Sequence, residues 1–469
     1  MLFDLKKYAD ATALVTEDGC VSYDTLSAMA GRIAAAVGHR TLVFLLCRNR
    51  AVALAAYIGF IESRIVPIMV DAALDAELAM TLLTQYQPEY LWLPEERTED
   101  FSGEVCLRLD GYVLLRRLQA AANSLYGDLA LLMTTSGSTG SPKLVRQSYQ
   151  NLRANTQSII KYLQIDECER AVTNLPLHYV YGLSIVNTHL MAGASLVVTE
   201  KTLFNREFWK IMQEWEVTSL AGVPYTYQML ARLRFFNMNL PALKTLTQAG
   251  GKLDQELHRR FASWAEAKGK NFVIMYGAAE ATARMGWLPS SDSLRKVGSM
   301  GIAIPGGRFE LIDDQGRIII EPKVTGELVY YGKNVTLGYA ESAADLALGD
   351  KWQGRYVTGD MAQFDEEGYY TIVGRRTRFL KIFGKRANLE EAEHLLHQQF
   401  PEAELACAGK DDELWIFAEQ EQLLSEMKKY LCLKSGIHIS AVKTQKVTVI
   451  PRSESGKVLY QQLATYYNV

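Results

Sequence analysis

The sequence has few of the features that mark disulfide-rich, metal-stabilised or membrane-spanning proteins. Its six cysteines are widely scattered and none stands in a CxxC or zinc-finger spacing, so neither a disulfide framework nor a structural zinc is expected. The apolar runs Leu42–Cys47 and Ala51–Ile61 are too short to span a bilayer and are separated by Arg48-Asn49-Arg50.

Targeting signals and an excess of one charge are also missing. Residues 1–10 carry charges and lack the apolar stretch of a signal peptide. The final Tyr-Tyr-Asn-Val is no peroxisomal address. The totals of 50 Lys plus Arg and 53 Asp plus Glu give a formal charge of −3, which offers no broad surface for nucleic acid or anionic membrane. A cytoplasmic protein without a nucleic-acid partner or a membrane span is the expectation.

What the sequence does have is enough apolar material for several structural units. It is 469 residues long and 48% apolar, typical of a soluble globular protein with roughly two to four units. Short apolar runs alternate with helical patterns in the first half, which favours α/β layers on a largely parallel sheet. The predicted elements there are strands 42–47, 65–70, 90–93 and 129–134, with helices 52–62 and 76–86.

The pattern changes after Gly298. Gly/Pro turns separate short alternating segments such as 308–312 and 327–331, which predicts a small antiparallel β unit. After Gly374-Arg375 come a basic stretch, a helix over 389–399, a hairpin of strands 404–408 and 413–418, and a helix over 421–430. The predicted fold is therefore α/β, with a large N-terminal domain of layered α/β subdomains plus a small β unit, and a small α+β C-terminal domain.

The strongest local signal is the segment TTSGSTGSPK, residues 134–143, which follows the strand 129–134. Glycines allow close backbone approach, and successive amides and hydroxyls can surround phosphate oxygens. The spacing fails the Walker A pattern, which argues against an ordinary P-loop NTPase. The candidate phosphate-binding residues are Thr135, Ser136, Gly137, Ser138, Thr139, Gly140 and Lys143.

This loop resembles the phosphate loop of the adenylate-forming superfamily, which includes acyl-CoA synthetases, peptide-synthetase adenylation domains and firefly luciferase. Further segments resemble that family's motifs in the expected order. They are LPLHYVYGL (175–183), QAGGK (248–252), YGAAE (276–280), GELVYYGKNVTLGY (326–339), TGD (358–360), GR (374–375) and PRSESGK (451–457). Any one of them could arise by chance, but seven in order indicate a member of the family.

The resemblance implies that ATP and a carboxylic acid form an acyl-adenylate and pyrophosphate. Two anions must meet, so charge neutralisation and positioning carry the catalysis. Lys457 is the implied catalytic cation, and Glu280 is implied to hold Mg²⁺. A second set of residues is implied to bind adenine and ribose: Gly250, Gly251, Tyr276, Asp360 and Arg375.

The second half-reaction passes the acyl group to a thiol, most simply that of coenzyme A. The resemblance implies domains 1–376 and 377–469, with the second rotating about a hinge after the GR motif. The segment KIFGKR (381–386) would line the thiol tunnel, although a basic surface hairpin is the plainer interpretation. The implied acyl and thiol pocket residues are His178, Tyr179, Gly222, Ala278, Lys381 and Gly384.

Three positions depart from the family pattern. Ala279 replaces the usual Thr of YGxTE, and Thr282 nearby is the alternative source of a hydroxyl. Thr377, followed by Arg378, stands where the hinge residue is usually acidic or lysine. Tyr179 stands in place of the customary histidine. The magnesium and lysine positions are kept, which favours an active enzyme.

Three hypotheses about function stay open. The first is an acid–coenzyme A ligase, the second a stand-alone enzyme that loads a carrier protein's phosphopantetheine, and the third a catalytically silent nucleotide-binding protein. Residues 174–199 and 218–230 contain no Asp or Glu, which weighs against an α-amino acid as substrate. An organic acid of small or medium size is expected; the sequence leaves its identity, the pathway and the oligomeric state open.

Overall fold

The computed structural model describes residues 2–118, 123–134, 143–382, 385–435, 437–452 and 458–467, with the backbone alone at 377, 379, 381, 385 and 386. The chain divides into two compact units. Unit 1 comprises Met1–Phe309 and Tyr330–Tyr356, and unit 2 comprises Glu310–Val329 and Val357–Val469. The division at residue 376 and the hinge stay predictions.

The described secondary structure alternates strands and helices through unit 1. The helices of unit 1 are α1 Tyr23–Val37, α2 Ala51–Glu62, α3 Ala76–Tyr86, α4 Tyr149–Leu163, α5 Val180–Ala192, α6 Arg206–Glu214, α7 Pro224–Arg232 and α8 Gln255–Ala267 among the described residues. Those of unit 2 are α9 Leu389–Gln399, α10 Leu424–Ser435 and α11 Tyr460–Leu463. The strands as far as residue 148 are β1 Thr12–Thr16, β2 Gly19–Ser22, β3 Leu42–Cys47, β4 Val66–Asp71, β5 Tyr90–Pro94, β6 Glu104–Leu109, β7 Tyr112–Arg116, β8 Leu129–Thr134 and β9 Leu144–Ser148.

The remaining strands complete unit 1 and build unit 2. They are β10 Arg170–Val172, β11 Ser195–Val197, β12 Ser219–Gly222, β13 Thr245–Gln248, β14 Asn271–Tyr276, β15 Gly286–Leu288, β16 Ile302–Ala303, β17 Gly307–Ile312, β18 Ile318–Ile319, β19 Gly326–Gly332, β20 Tyr339–Ala340, β21 Arg355–Phe364, β22 Tyr370–Arg375, β23 Phe379–Ile382, β24 Lys385–Asn388, β25 Leu405–Lys410, β26 Glu413–Ala418 and β27 Val442–Lys446.

Unit 1 contains two mixed sheets with parallel centres. One has the order β16-β15-β14-β13-β12-β10-β11-β1-β2 among the described strands, parallel from β14 to β1 and antiparallel at both edges. The other has the order β20-β9-β8-β4-β3-β5-β7-β6. Strand β3 is buried at every residue, as expected for a parallel strand covered on both faces. The predicted α/β layering on largely parallel sheets is confirmed.

Helices α1 and α2 pack closely because α2 carries Gly59 at their crossing. A Cβ at Gly59 would lie 2.3 Å from the carbonyl oxygen of Ala30. Helix α1 begins at the cap Ser22, whose hydroxyl accepts from the Thr25 amide, and ends at Gly38 in the left-handed region. The middle of α2, Val52–Ile61, is buried at every residue, so this helix belongs to the interior of unit 1.

Unit 2 contains a sheet of order β18-β17-β19-β21-β22, the hairpin β23-β24 and the sheet β25-β26-β27. The first of these matches the predicted small β unit, and β25 pairs antiparallel with β26 as the predicted hairpin. Helices α9 and α10 cover the last sheet, whose buried core includes Leu396, Ile416 and Met427. Within the described residues, no helix of either unit is long and apolar enough to cross a membrane.

Candidate active site

The carboxyl ends of three parallel strands place the predicted nucleotide and acyl residues at one edge of the larger sheet. Gly222 ends β12 and pairs with Gln248 at the end of β13, which in turn pairs with Ile274 in β14. Parallel strands bring their carboxyl ends to the same edge, where ligands of α/β proteins bind. Gly222, Gly250 and Tyr276 therefore share that edge.

The conformation of the turn after β13 is fixed by its glycines and by one glutamine. The Nε2 of Gln248 donates to the carbonyl of Gly251 at 2.9 Å. Gly250 has a φ of +83°, and a Cβ there would lie 2.5 Å from the hydroxyl of Tyr179. A side chain at residue 250 would therefore displace Tyr179, which explains the need for glycine.

The segment after β14 positions Glu280 through its backbone and its carboxylate. The amide of Thr336 donates to the carbonyl of Glu280 at 3.0 Å, and the hydroxyl of Tyr339 donates to its Oε1 at 2.6 Å. The ammonium of Lys143 lies 4.3 Å from the centre of the Tyr339 ring. Lys143, Tyr339 and Glu280 thus form one connected polar group.

A buried asparagine fixes the turn that follows. The Nδ2 of Asn334 donates to the carbonyls of Ala281 and Arg284, each at 2.8 Å. The hydroxyl of Thr282 donates to the carbonyl of Asn334 at 2.7 Å. The proton of Thr282 is thus used to hold this turn, so Thr282 is not a direct copy of the hydroxyl that Ala279 lacks.

Arg146 in β9 holds the loop that carries Tyr339. This side chain is fully buried, and its guanidinium donates to the carbonyls of Tyr339, Leu337, Gly349 and Leu348, the first three at 3.2, 2.7 and 3.2 Å. Burial lowers the pKa of Arg146. Carbonyl dipoles thus take the place of an acidic partner for this buried charge.

The predicted acyl-pocket motif forms the start of α5. Gly182 lies against the chain that precedes it, and a Cβ there would be 2.2 Å from the carbonyl of Pro176. The Nε2 of His178 lies 3.8 Å from Oδ2 of Asp71 at the end of β4. Tyr179 is largely buried in the protein, and this burial raises the pKa of its hydroxyl. These contacts do not assign either His178 or Tyr179 the role of a proton donor.

Behind this edge lies a cavity that the sequence did not indicate. It lies between α4, α5 and strands β10 and β12 to β14, and it has a volume of about 40 Å³. Apolar side chains such as Ile159, Leu163 and Met275 line it together with hydroxyls such as Thr247. Arg284, which is 3% exposed, also lines it.

Unit 2 carries the predicted ribose-binding pair. Asp360 on β21 lies opposite Arg375 on β22, and Oδ1 of Asp360 is 2.7 Å from Nε of Arg375. The hydroxyl of Thr358 accepts from the Asp360 amide at 3.0 Å and donates to the carbonyl of Leu328 at 2.9 Å. Asp360 is 5% exposed, and its carboxylate stays the predicted acceptor for ribose hydroxyls.

The residues after the GR motif are anchored within unit 2. Arg378 is buried, lies 2.8 Å from Glu393, and donates to the carbonyl of Cys407 at 2.6 Å. Its guanidinium lies 3.7 Å from the centre of the Tyr460 ring. The neighbouring Glu393 and Tyr460 raise the pKa of Arg378 against the effect of burial. Residues 381, 382, 385 and 386 of the predicted thiol-tunnel segment lie in the hairpin β23-β24, and the role of the segment stays a prediction.

Several predicted residues lie outside the described part of the chain. Lys457, Gly384 and the loop residues 135–140 are among them, and the side chain of Lys381 is not described. Their predicted roles stay predictions. In the described residues, no group of three or more His, Cys, Asp or Glu side chains could hold a metal ion. Glu280 fits Mg²⁺ in the way common for nucleotide sites, in which one carboxylate and the substrate's phosphates supply ligands.

Residues 4–340 match the model of a family described as AMP-binding enzyme. The chain belongs to this family. It shares 31% identity over 364 residues with indoleacetate–CoA ligase of Aromatoleum aromaticum, covering 76% of this chain and 66% of that protein. It shares 26% identity over 345 residues with 2-succinylbenzoate–CoA ligase of Listeria monocytogenes, covering 71% and 69%. The match thus spans about two thirds of the length of these relatives.

The fold is also that of a solved acid–coenzyme A synthetase. O-succinylbenzoate coenzyme A synthetase of Bacillus subtilis, in complex with AMP, superposes with a TM-score of 0.78 at 22% identity, covering 98% of this chain and 96% of that one. The family and the α/β fold class predicted from the motifs are confirmed.

Proposed function

We propose that this AMP-binding enzyme is an AMP-forming acid–coenzyme A ligase. The observation that carries the proposal is the connected group formed by Glu280, Tyr339 and Lys143. It would supply a nucleotide triphosphate with an oriented carboxylate for its metal ion and a cation for its phosphates. The relatives named above are acid–CoA ligases, which supports the same reaction class.

The first half-reaction joins two anions. A carboxylate oxygen of the acid attacks the α-phosphorus of ATP, the bond to the β-phosphate oxygen breaks, and pyrophosphate leaves. Lys143, the loop 135–140 and Lys457 would neutralise the phosphate oxygens, with Lys457 acting on the charge that develops during attack. Mg²⁺ bound at Glu280 would supply further charge neutralisation. Asp360 and Arg375 would bind the ribose.

In the second half-reaction the thiol of coenzyme A attacks the acyl carbonyl, and AMP leaves as the thioester forms. Lys381 and Gly384 would line the thiol's path after the predicted rotation. A carrier protein's phosphopantetheine is the second candidate acceptor, and the CoA ligases among the relatives give it less support. A cytoplasmic location belongs to the same proposal.

The acid is proposed to be an organic acid with an aromatic or apolar body. The relatives include ligases named for indoleacetate, 2-succinylbenzoate and ferulate. The cavity lined by Ile159, Leu163 and Met275 has the apolar character that such a body requires. Its position beside the strand ends would leave the acid's carboxylate near the nucleotide edge.

The first test is acid-dependent ATP–pyrophosphate exchange with Mg²⁺ across aryl, arylacetic, aliphatic and amino acids. At least one acid is expected to support exchange, and coenzyme A is then expected to yield a thioester. Acyl-AMP that accumulates with CoA but transfers to a carrier protein would shift the proposal to the second acceptor. Silence with every acid, together with intact ATP binding, would favour the catalytically silent protein.

Lys457→Ala provides the sharpest check on the first half-reaction. The variant is expected to lose exchange by roughly 100-fold or more, because charge developing on the phosphate oxygens is no longer neutralised. ATP binding and the melting temperature are expected to change little. An undiminished exchange rate would remove Lys457 from the mechanism.

A further inference from the structure

Arg284 is a buried cation in the cavity with most of its hydrogen-bonding capacity unused. A guanidinium has five N–H donors. Among the described residues, Nη1 donates to the carbonyl of Ala283 at 3.2 Å and Nη2 to the hydroxyl of Ser184 at 3.3 Å, while the buried Nε has no acceptor. Both bonds are long, and the hydroxyl of Tyr162 is the further hydrogen-bond neighbour of the guanidinium, so every acceptor that the described residues offer it is neutral.

No described carboxylate lies within ion-pair distance of Arg284, and an aromatic face takes that place. The guanidinium carbon lies 3.9 Å from the centre of the Tyr181 ring, and the hydroxyl of Tyr181 is turned away toward Thr247. A buried charge without an ionic partner is costly. The fully buried Arg146 in the same unit shows the alternative, since four carbonyls surround its guanidinium.

The other ionisable groups that line the cavity do not compensate this charge. Glu169 is engaged by the ammonium of Lys244 at 3.3 Å and by the hydroxyl of Thr218. His189 contacts the carbonyl of Ile185 at 2.9 Å through Nδ1, and burial lowers its pKa, which keeps the ring neutral at pH 7. The cavity therefore carries the net positive charge of Arg284.

We propose that Arg284 binds a second carboxylate of the acid substrate, so that the enzyme activates dicarboxylic acids with an apolar or aromatic spacer. A planar guanidinium with free donors matches a carboxylate in two parallel hydrogen bonds. The apolar wall from Ile159 to Met275 suits the spacer, and the first carboxylate stays at the nucleotide edge. This inference rests on the proposed function and defines its substrate class.

The test compares acids that differ only in the second carboxylate: butanoate with succinate, hexanoate with adipate, and benzoate with each benzenedicarboxylate. The wild-type protein is expected to exchange pyrophosphate with at least one diacid with a kcat/KM at least 10-fold above that of its monoacid twin. Equal or better use of the monoacid in every pair would overturn the proposal. This comparison uses only the wild-type protein, so its outcome does not depend on whether a variant folds.

Arg284→Met and Arg284→Lys then assign the preference to this residue. Arg284→Met is expected to lose on the order of 10- to 100-fold in kcat/KM for the diacid and to keep the monoacid within about threefold, while Arg284→Lys falls between. Equal losses for both members of a pair would instead mean that Arg284 serves the reacting carboxylate or the fold. Arg40→Gln is the matched control, because Arg40 also donates to carbonyls, at Arg64 and Tyr126, away from the cavity.

Stability gives a readout that separates this proposal from the proposed function. Without ligand, Arg284→Met is expected to melt at the same or a higher temperature than the wild type, since an unpaired buried charge is removed. The preferred diacid alone is expected to raise the melting temperature of the wild type and not of Arg284→Met. A clear destabilisation of ligand-free Arg284→Met would show a structural arginine and overturn the proposal. If no acid supports exchange, the proposed ligase activity is wrong. The effect of the diacids on the melting temperatures of the wild type and of Arg284→Met still tests the role of Arg284.

Discussion

A single tyrosine hydroxyl orients the carboxylate to which the nucleotide chemistry is assigned. Tyr339 donates to Oε1 of Glu280 at 2.6 Å, while its ring faces the ammonium of Lys143. The same side chain thus orients the proposed metal-binding carboxylate and the cation beside it. Hydrogen bonds to a metal ligand fix its orientation, and their loss commonly reduces metal affinity or activity by roughly 10- to 100-fold.

Glu280→Gln is expected to raise the Mg²⁺ concentration needed for half-maximal exchange by at least 10-fold, because a neutral amide is a weaker ligand for Mg²⁺. Tyr339→Phe is expected to produce a smaller shift in the same direction. The measurement is the exchange rate as a function of Mg²⁺ at saturating ATP. Glu280 would lose its assigned role if Glu280→Gln lowered the rate equally at all Mg²⁺ concentrations.

Asp360→Ala is expected to weaken ATP binding by roughly 10-fold, because the carboxylate oxygens that accept from ribose hydroxyls are gone. The comparison ligand is 2′,3′-dideoxy-ATP, which has no such hydroxyls. Its affinity is expected to be low for the wild type and unchanged by Asp360→Ala. A loss of equal size for both nucleotides, measured by calorimetry, would mean that Asp360 acts by holding Arg375 and the fold of β21 and β22.

At the scale of elements, the helix pair α1 and α2 depends on backbone contact. Gly59 brings α2 so close to α1 that a Cβ would meet the carbonyl oxygen of Ala30 at 2.3 Å. Gly31, on the exposed face of α1, has no heavy atom within 4 Å of the same added Cβ. The two glycines therefore form a matched pair with opposite expectations.

Gly59→Ala is expected to destabilise unit 1 by about 1–3 kcal/mol through steric conflict at the helix crossing. Gly31→Ala is expected to stabilise it by about 0.4–1 kcal/mol, because alanine restricts the unfolded chain and suits a helix. Urea denaturation of both variants against the wild type measures the difference. Equal effects of the two substitutions would show that helix propensity outweighs the contact.

Several strands and helices have the bounds that the sequence predicts, among them helices 76–86 and 389–399. Strands 42–47 and 129–134 have the predicted bounds because each is an apolar run that is buried at nearly every residue. Strand 413–418 also has its predicted bounds, although Glu413 and Trp415 in it are only partly buried. Helix α10 begins at Leu424 and not at residue 421, since a 3-10 turn occupies 421–423. The first turn was predicted correctly for α3 and α9, where the side chains of Asp75 and Asn388 cap the helix, and incorrectly for α10.

The site was predictable only where chemistry and chain position coincide. Glu280 and Gly250 follow strand ends, so the motif and the topology indicate the same residues. Arg284 was missed because it stands in an apolar stretch with no motif, and the role proposed for it depends on the absence of a described carboxylate partner, which only the three-dimensional structure reveals. Asn334 was missed for a similar reason, since its contacts to Ala281 and Arg284 join segments about 50 residues apart.

At the scale of the whole molecule, buried neutral histidines link stability to pH. His258 is almost fully buried, contacts the hydroxyl of Ser293 through Nε2, and accepts from the amide of Gly298 at Nδ1. Burial lowers its pKa from 6.5 to about 4, with Arg259 acting in the same direction. The unfolded chain then binds a proton that the folded chain excludes, so the stabilising contribution is present above pH 6.5 and is lost as pH falls toward 4.

The apparent melting temperature is therefore expected to fall between pH 6.5 and pH 4, and part of this slope is expected to disappear in His258→Gln. That variant is also expected to melt lower than the wild type at pH 7, because a buried ring and its contacts are lost. His394→Gln, on the exposed face of α9, serves as the control and is expected to keep the wild-type slope. A slope that His258→Gln leaves unchanged would assign the effect to other groups.

The four carbonyls that surround Arg146 tie strand β9 to residues 337–349, so these hydrogen bonds form and break together. Local opening of that loop is then a single cooperative event with its own free energy. Each opening would withdraw Tyr339 and, with it, the proton that Glu280 accepts. The fraction of time during which Glu280 is correctly oriented is therefore set by the local unfolding equilibrium of one loop, which amide hydrogen exchange at residues 337 and 146 measures directly.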